Sequence, residues 1–262
     1  MNERHTTFPS ALEAFFLVIF VWGIDYLVSC ALYDAHGWLG LDDPYSLGTI
    51  SRVLANGIIF TALLHWKNLD YRGLFNASRS ATAATVVVVV PLVLLAAPCV
   101  FVAMGLANYL LLAVFPMSAG MESQFRGLTS AALPQILLIC VLAPILEEML
   151  FRGIILRSFL QQYDRRFAIL GSAVVFGFYH MNIYQLVGAS MFGIAAGWLY
   201  ERTRSLIPGI AMHAAMNTAV MVLASTPGGE ASGNEVATLA WFLLPSIPAC
   251  YFLRRFLAAP VQ

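Results

Sequence analysis

Three stretches of this chain carry side chains able to move a proton or polarise a carbonyl group. They are Glu147, Glu148 and Arg152; His180; and His213 with Asn217. Neighbouring residues on a helix point about 100° apart, so Glu147 and Glu148 cannot serve one partner equally. Glu148 and Arg152 stand one turn apart and share a face, where an ion pair would keep Glu148 ionised and fix its rotamer. That leaves Glu147 turned toward another surface as the working carboxylate. A carboxylate beside an imidazole can take a proton from water and so supply a nucleophile for a carbonyl carbon. Phe176 lies one turn before His180, so its ring can pack beneath the imidazole. His213 and Asn217 are spaced in the same way, and Ala214 and Ala215 between them leave the helix surface open.

Each stretch alone has a plainer explanation. Glu147, Glu148 and Arg152 could sit at a membrane interface and snorkel. His180 could be a hydrogen-bonded helix-end residue, and a His/Asn pair could be interhelical glue worth about 0.6 kcal/mol per bond. Those explanations must hold three times over, whereas one shared polar pocket accounts for all three stretches. An ionised side chain in hydrocarbon costs roughly 2.5–3.5 kcal/mol on insertion scales, so three within six residues call for partners, water or a task.

The elements that must position these groups are apolar helices. The chain has 262 residues, of which 60% are hydrophobic and 11% charged, and its mean hydropathy is +0.79. That composition describes a multi-pass membrane protein rather than a soluble domain. Zero formal net charge and the absence of a long basic cluster exclude nucleic acid as a partner. Cys30, Cys99, Cys140 and Cys250 lie far apart in apolar stretches and read as packing residues, not disulfides or a zinc knuckle. Asp25 interrupts the apolar run ahead of Leu27-Val28-Ser29-Cys30, so that run reads as a retained helix rather than a lipoprotein signal.

A bilayer core takes about 20 apolar residues of helix, and about eight such segments are present. They fall near Ala11–Leu32, Ser46–Trp66, Ala81–Phe115, Ala131–Gln161, Phe167–Met181, Ile183–Tyr200, Ser205–Ala224 and Val236–Phe256. The third is long, and Pro91, Pro98 and Gly105 mark where it could kink or break. With the N-terminus inside, Arg4, Lys67, Arg72, Arg79, Arg152, Arg157, Arg165, Arg166, Arg202, Arg204, Arg254 and Arg255 all fall on the cytoplasmic side. Only Arg126 falls outside, and Arg52 lies within a span. The expected architecture is an all-α polytopic bundle forming one integral membrane domain over residues 1–262, with both termini cytoplasmic. Residues 1–130 read as a variable helical scaffold, and residues 225–262 as a C-terminal helix. Gly193 and Gly197 let a neighbouring helix approach the sixth segment closely, which places that segment in the bundle centre.

In their order, Glu147-Glu148-x-x-x-Arg152, Phe176-x-x-x-His180 and His213-x-x-x-Asn217 resemble the three motifs of the CPBP intramembrane proteases, also called the ABI or type II CAAX prenyl endopeptidase family. The flanks Pro144–Gly153 and Gly197–Leu206 are similar to that family's as well, and the resemblance covers residues 131–224 as a catalytic core. It implies hydrolysis of a peptide bond in a membrane-anchored, lipidated or small peptide substrate, with Glu147, Glu148, Arg152, His180, His213 and Asn217 as site residues. His213 and Asn217 would donate to the oxyanion, a contribution of about 2.7–4 kcal/mol per donor in soluble proteases. Two cofactor readings stay open. Glu147, His180 and His213 would make a His2Glu set for zinc or another divalent metal, and the same residues suit a metal-independent, glutamate-activated water. A bacterial plasma membrane is the expected location. The competing functions are a non-catalytic membrane scaffold or bacteriocin-immunity-type protein and, further off, a proton-coupled transporter.

Overall fold

A computed structural model describes residues 7–78, 82–225 and 235–258. Arg4, Arg79 and most of the loop before the last helix therefore lie outside the described residues. Ten helices run in order: α1 (Ala11–Leu39), α2 (Pro44–Lys67), α3 (Tyr71–Phe75), α4 (Thr82–Val114), α5 (Ala119–Leu128), α6 (Leu133–Gln162), α7 (Arg165–Tyr179), α8 (Ile183–Thr203), α9 (Ile207–Ser225) and α10 (Glu235–Ala258). No strand occurs among the described residues, only an isolated bridge between Asn76 and Ser205.

Among the described residues, six helices, α1, α2, α4, α6, α8 and α9, are long and apolar enough to cross a bilayer. The chain is an all-α integral membrane bundle. Helix α7 is shorter, 15 residues, which spans about 22 Å at 1.5 Å per residue. Local chemistry sets the helix starts. Ser10 and Glu13 form a reciprocal capping box on α1, and Asp43, Asp164 and Asn182 cap α2, α7 and α8 with side-chain oxygens.

Proline shapes two of the long helices. The segment expected to kink at Pro91, Pro98 or Gly105 is one continuous helix, α4, and its irregularity is a wide π turn over Thr85–Val89, directly before Pro91. Helix α6 repeats the arrangement: a π turn over Leu138–Leu142 precedes Pro144. A proline ring clashes with the carbonyl a turn earlier, and a wider turn relieves the clash. A third π-helical stretch, Met149–Leu156, lies in the middle of α6.

Every residue from Glu148 through Leu156 is buried, so α6 is the central pillar of the bundle. Helices α7 and α8 form a tight hairpin against it. A Cβ at Gly193 would lie 2.9 Å from both Cα and Cβ of Ala173, and one at Gly197 would lie 3.3 Å from Ile169. The small residues thus let the backbones approach, as their spacing leads one to expect. Gly193→Ala is expected to lower stability by about 1–3 kcal/mol, because the nearest atoms are backbone and cannot swing aside. Thermal unfolding in detergent checks this against Gly188→Ala, whose Cβ would meet only the end of Met104 at 3.4 Å.

The short helix α3 has no counterpart in the sequence reading. Leu74 is wholly buried and inserts over Gly153, where a Cβ would come within 2.6 Å of its Cδ1. Arg157 donates to the Gly73 carbonyl at 2.8 Å, and Leu206 N–H donates to the Phe75 carbonyl at 2.9 Å. Helix α3 thereby clamps the end of α6 to the turn between α8 and α9, which fixes the two helices that carry the carboxylates and His213.

Candidate active site

The polar groups converge on Glu148 of α6. Its side chain is fully buried, and Oε1 accepts from Arg152 Nη1 at 2.7 Å along the same helix. Charge-assisted pairs of that length are among the stronger hydrogen bonds. The Arg152 guanidinium is itself sandwiched between aromatic rings, 4.6 Å from the Phe176 centroid and 5.2 Å from that of Phe192. Ring faces stabilise a desolvated cation, so α7 and α8 complete the brace that α6 begins. The second carboxylate oxygen, Oε2, lies where a Cβ on Gly209 would stand 2.8 Å away. Glycine at the start of α9 is therefore what lets this helix close over the carboxylate.

His213 of α9 connects the two glutamates. Its Nδ1 lies 3.2 Å from Glu148 Oε1, and its Nε2 lies 3.8 Å from Glu147 Oε2. Against an ionised carboxylate Nδ1 must be the donor, so in the neutral ring Nε2 carries the lone pair and faces Glu147. The Phe192 ring packs on the imidazole at 4.6 Å, limiting its rotation. Glu147 keeps 17% of its side chain exposed whereas Glu148 keeps none. That difference separates a carboxylate open to reactants from one sealed in the core. The expected Glu148–Arg152 pair is present, and Glu148 additionally holds His213.

His180 closes α7 one turn beyond Phe176. Its Nδ1 donates to the Phe176 carbonyl at 3.0 Å, which leaves Nε2 as an acceptor, and the Phe176 ring packs edge-on at 5.1 Å. Met181 then adopts a left-handed backbone (φ 53), and Asn182 donates to the His180 carbonyl at 2.9 Å. A left-handed non-glycine residue is a strained turn held by its surroundings, here the cap of α8. Phe176 also stands 5.9 Å from the His213 ring, so one aromatic side chain packs on both imidazoles.

Asn217 serves α6 directly. In the π turn before Pro144, Ala143 N–H bonds to the Leu138 carbonyl, and the next N–H in that register would belong to Pro144, which has none. The Ile139 carbonyl is left over, and Asn217 Nδ2 donates to it at 2.8 Å. The site thus brings Glu147, Glu148, Arg152 and His213 together, seats His180 against Phe176, and engages Asn217 on the α6 backbone. Among the described residues, no three His, Cys, Asp or Glu side chains gather closely enough to hold a metal ion. Of the three residues of the His2Glu set, Glu147 and His213 face each other at 3.8 Å, and His180 packs on the Phe176 ring.

Three polar groups absent from the sequence-derived site lie beside it. Arg52 of α2 donates to the Tyr179 hydroxyl at 3.0 Å and pairs with Asp25 of α1 at 3.4 Å. Phe151 packs on Tyr179 at 5.2 Å, and Trp22 stacks on its other side at 6.0 Å. The signal was present in the sequence, since Asp25 and Arg52 are charges within apolar spans, yet no spacing rule connects helices so far apart.

Comparison with known proteins agrees with this core. The type II CAAX prenyl endopeptidase Rce1-like family model matches residues 129–219. YdiL of Bacillus subtilis (strain 168), named as a candidate membrane peptidase, is 34% identical over 87 residues, which cover 33% of this chain and 36% of YdiL. The match thus spans about a third of that relative. No solved structure matches the chain. Residues 129–219, the stretch that matches this family model, hold every group gathered on Glu148.

Proposed function

We propose that this protein is an intramembrane endopeptidase in which Glu147 activates water for attack on a peptide bond. One observation carries the reading: His213 Nε2 and Glu147 Oε2 lie 3.8 Å apart while Nδ1 of the same ring is held by the sealed Glu148–Arg152 pair. Two proton acceptors facing one region suit a water that donates to both. Glu147 takes a proton from this water, whose other hydrogen His213 Nε2 accepts, and His180 presents Nε2 at the end of α7 to a donor on the substrate. The water oxygen bonds to the carbonyl carbon, the C–N bond breaks, and the proton held by Glu147 passes to the departing nitrogen, so one water is consumed per bond. Asn217 commits one amide N–H to Ile139 and retains the other for the developing oxyanion.

Glu148 and Arg152 are positioning residues in this scheme, because both are too deeply buried to meet a substrate. All steps use the chain's own groups. The substrates proposed are membrane-anchored, lipidated or small peptides, which reach the site from the bilayer or its face. The arrangement of Lys and Arg supports cytoplasmic termini, and a bacterial plasma membrane is the location proposed from the compact architecture.

The test is to incubate protein purified in detergent with membrane-anchored and lipidated peptides and to resolve the products by mass. Wild type is expected to cleave, and Glu147→Ala and His180→Ala to lose cleavage. Full activity in both variants would remove the site assignment. Metal analysis with chelation runs in parallel, and loss of activity that returns on adding back one metal would replace the water-and-glutamate scheme.

A further inference from the structure

Two Arg–carboxylate pairs lie inside this bundle, and they are built differently. Arg152–Glu148 is closed: 2.7 Å long, with side-chain exposures of 2% and 0%. Arg52–Asp25 is open: 3.4 Å long, with exposures of 35% and 22%. The second pair is longer than a charge-assisted bond ordinarily is. Each pair engages one carboxylate oxygen and leaves the other, Oδ1 of Asp25 and Oε2 of Glu148, buried without a hydrogen-bond partner, so length and exposure are what distinguish them. A pair retained only to brace α1 against α2 would be expected to close as tightly as the first. Arg52 instead uses Nη1 for both Asp25 and the Tyr179 hydroxyl. A guanidinium has five N–H donors in a planar fork, so the Nε and Nη2 side remains for another acceptor.

Arg52 also has a place relative to the site. Tyr179 precedes His180, and the two rings lie 5.8 Å apart, edge to face. Tyr179 also packs on Phe151 of α6, the helix that carries Glu147, so Arg52 is tied through one side chain to both α6 and His180. A guanidinium with uncommitted donors, held beside His180 and joined to the helix of the general base, suits the carbonyl oxygen of a peptide group whose carbon is attacked by water from the Glu147 side. Of the other donors, the one N–H of neutral His213 is taken by Glu148, and one amide N–H of Asn217 is taken by Ile139.

Building on the peptidase reading above, we propose that Arg52, oriented by Asp25 and Tyr179, is a catalytic residue that takes up the negative charge developing on the substrate's carbonyl oxygen. The nucleophile is still water, and no bond to Arg52 forms or breaks. As water adds to the carbonyl, the oxygen gains charge that the guanidinium stabilises, and that charge returns to the carbonyl when the C–N bond breaks. A preoriented cation in a low-dielectric site acts on the transition state more than on the neutral bound peptide. Asp25 and Tyr179 are positioning residues.

The experiment measures kcat and KM for a membrane-anchored peptide with wild type, Arg52→Gln, Arg52→Ala and Tyr179→Phe. Arg52→Gln is expected to lower kcat by about 10²–10³-fold, the size of losing one oxyanion donor, with KM nearly unchanged. Guanidinium ion added in millimolar amounts is expected to restore part of the Arg52→Ala activity, a response that a purely bracing role would not give. Should the Arg52 variants not purify as folded protein, Tyr179→Phe decides: kcat falls at constant KM, or the proposal is overturned. Unchanged kcat in Arg52→Gln, or a rise confined to KM, overturns this proposal and leaves the peptidase reading standing. No cleavage by wild type overturns both.

Discussion

Replacing Glu147 by glutamine is expected to reduce peptide hydrolysis by about 10²–10⁴-fold, the range for removing a general base, while thermal unfolding stays close to wild type. The two halves of this expectation come from the same geometry. Glu147 is the partly exposed carboxylate of the pair, 3.8 Å from His213 Nε2, and it contributes no close hydrogen bond to the bundle. Glutamine keeps its shape and loses only the ability to take a proton. A variant equally inactive but markedly less stable would mean that Glu147 braces the fold, and the roles of the two glutamates would have to be exchanged.

The second large effect falls on stability. Arg152→Met is expected to destabilise the protein by about 3–5 kcal/mol, because it leaves the Glu148 carboxylate buried without its cation. Glu148→Leu combined with Arg152→Met removes both charges, and the double variant is expected to recover most of that loss, since well-packed apolar replacements of buried pairs are often neutral or better. Activity is not expected to return with stability. His213 Nδ1 would lose the acceptor that holds it 3.2 Å away, and its Nε2 would no longer be fixed toward Glu147. Denaturant or thermal titration of the two single variants and the double variant gives the coupling, and a double variant that also regains cleavage would show that His213 needs no such anchor.

The sequence reveals this site unevenly, for a physical reason. Contacts within one helix follow from the 3.6-residue repeat, so Glu148 with Arg152 and Phe176 with His180 could be read from spacing alone, and the structure has both. Contacts between helices depend on packing. That Glu148 rather than Glu147 holds His213 Nδ1, and that Asn217 fills the carbonyl freed by Pro144, follow from how α9 lies on α6. Part of this was legible in principle, since a proline within a span always strands a carbonyl that some donor must satisfy.

The same distinction holds for the fold. Long apolar helices announced themselves by composition, whereas α3, five residues long, carries too little periodicity to be seen and is recognisable only from Leu74 buried against Gly153. Helix α5 is missed for a related reason: Ala119–Leu128 is short and mixed in polarity, and it falls in what reads as a loop. The first two spans read as scaffold because single charges such as Asp25 and Arg52 have no partner within helical reach. Their partners lie on each other and on α7.

The most direct measurement is mass analysis of a membrane-anchored peptide after incubation with purified wild type and with Glu147→Gln. The account predicts two fragments from wild type whose masses sum to the substrate plus one water, and intact peptide from the variant. Equal fragmentation by both proteins would contradict it.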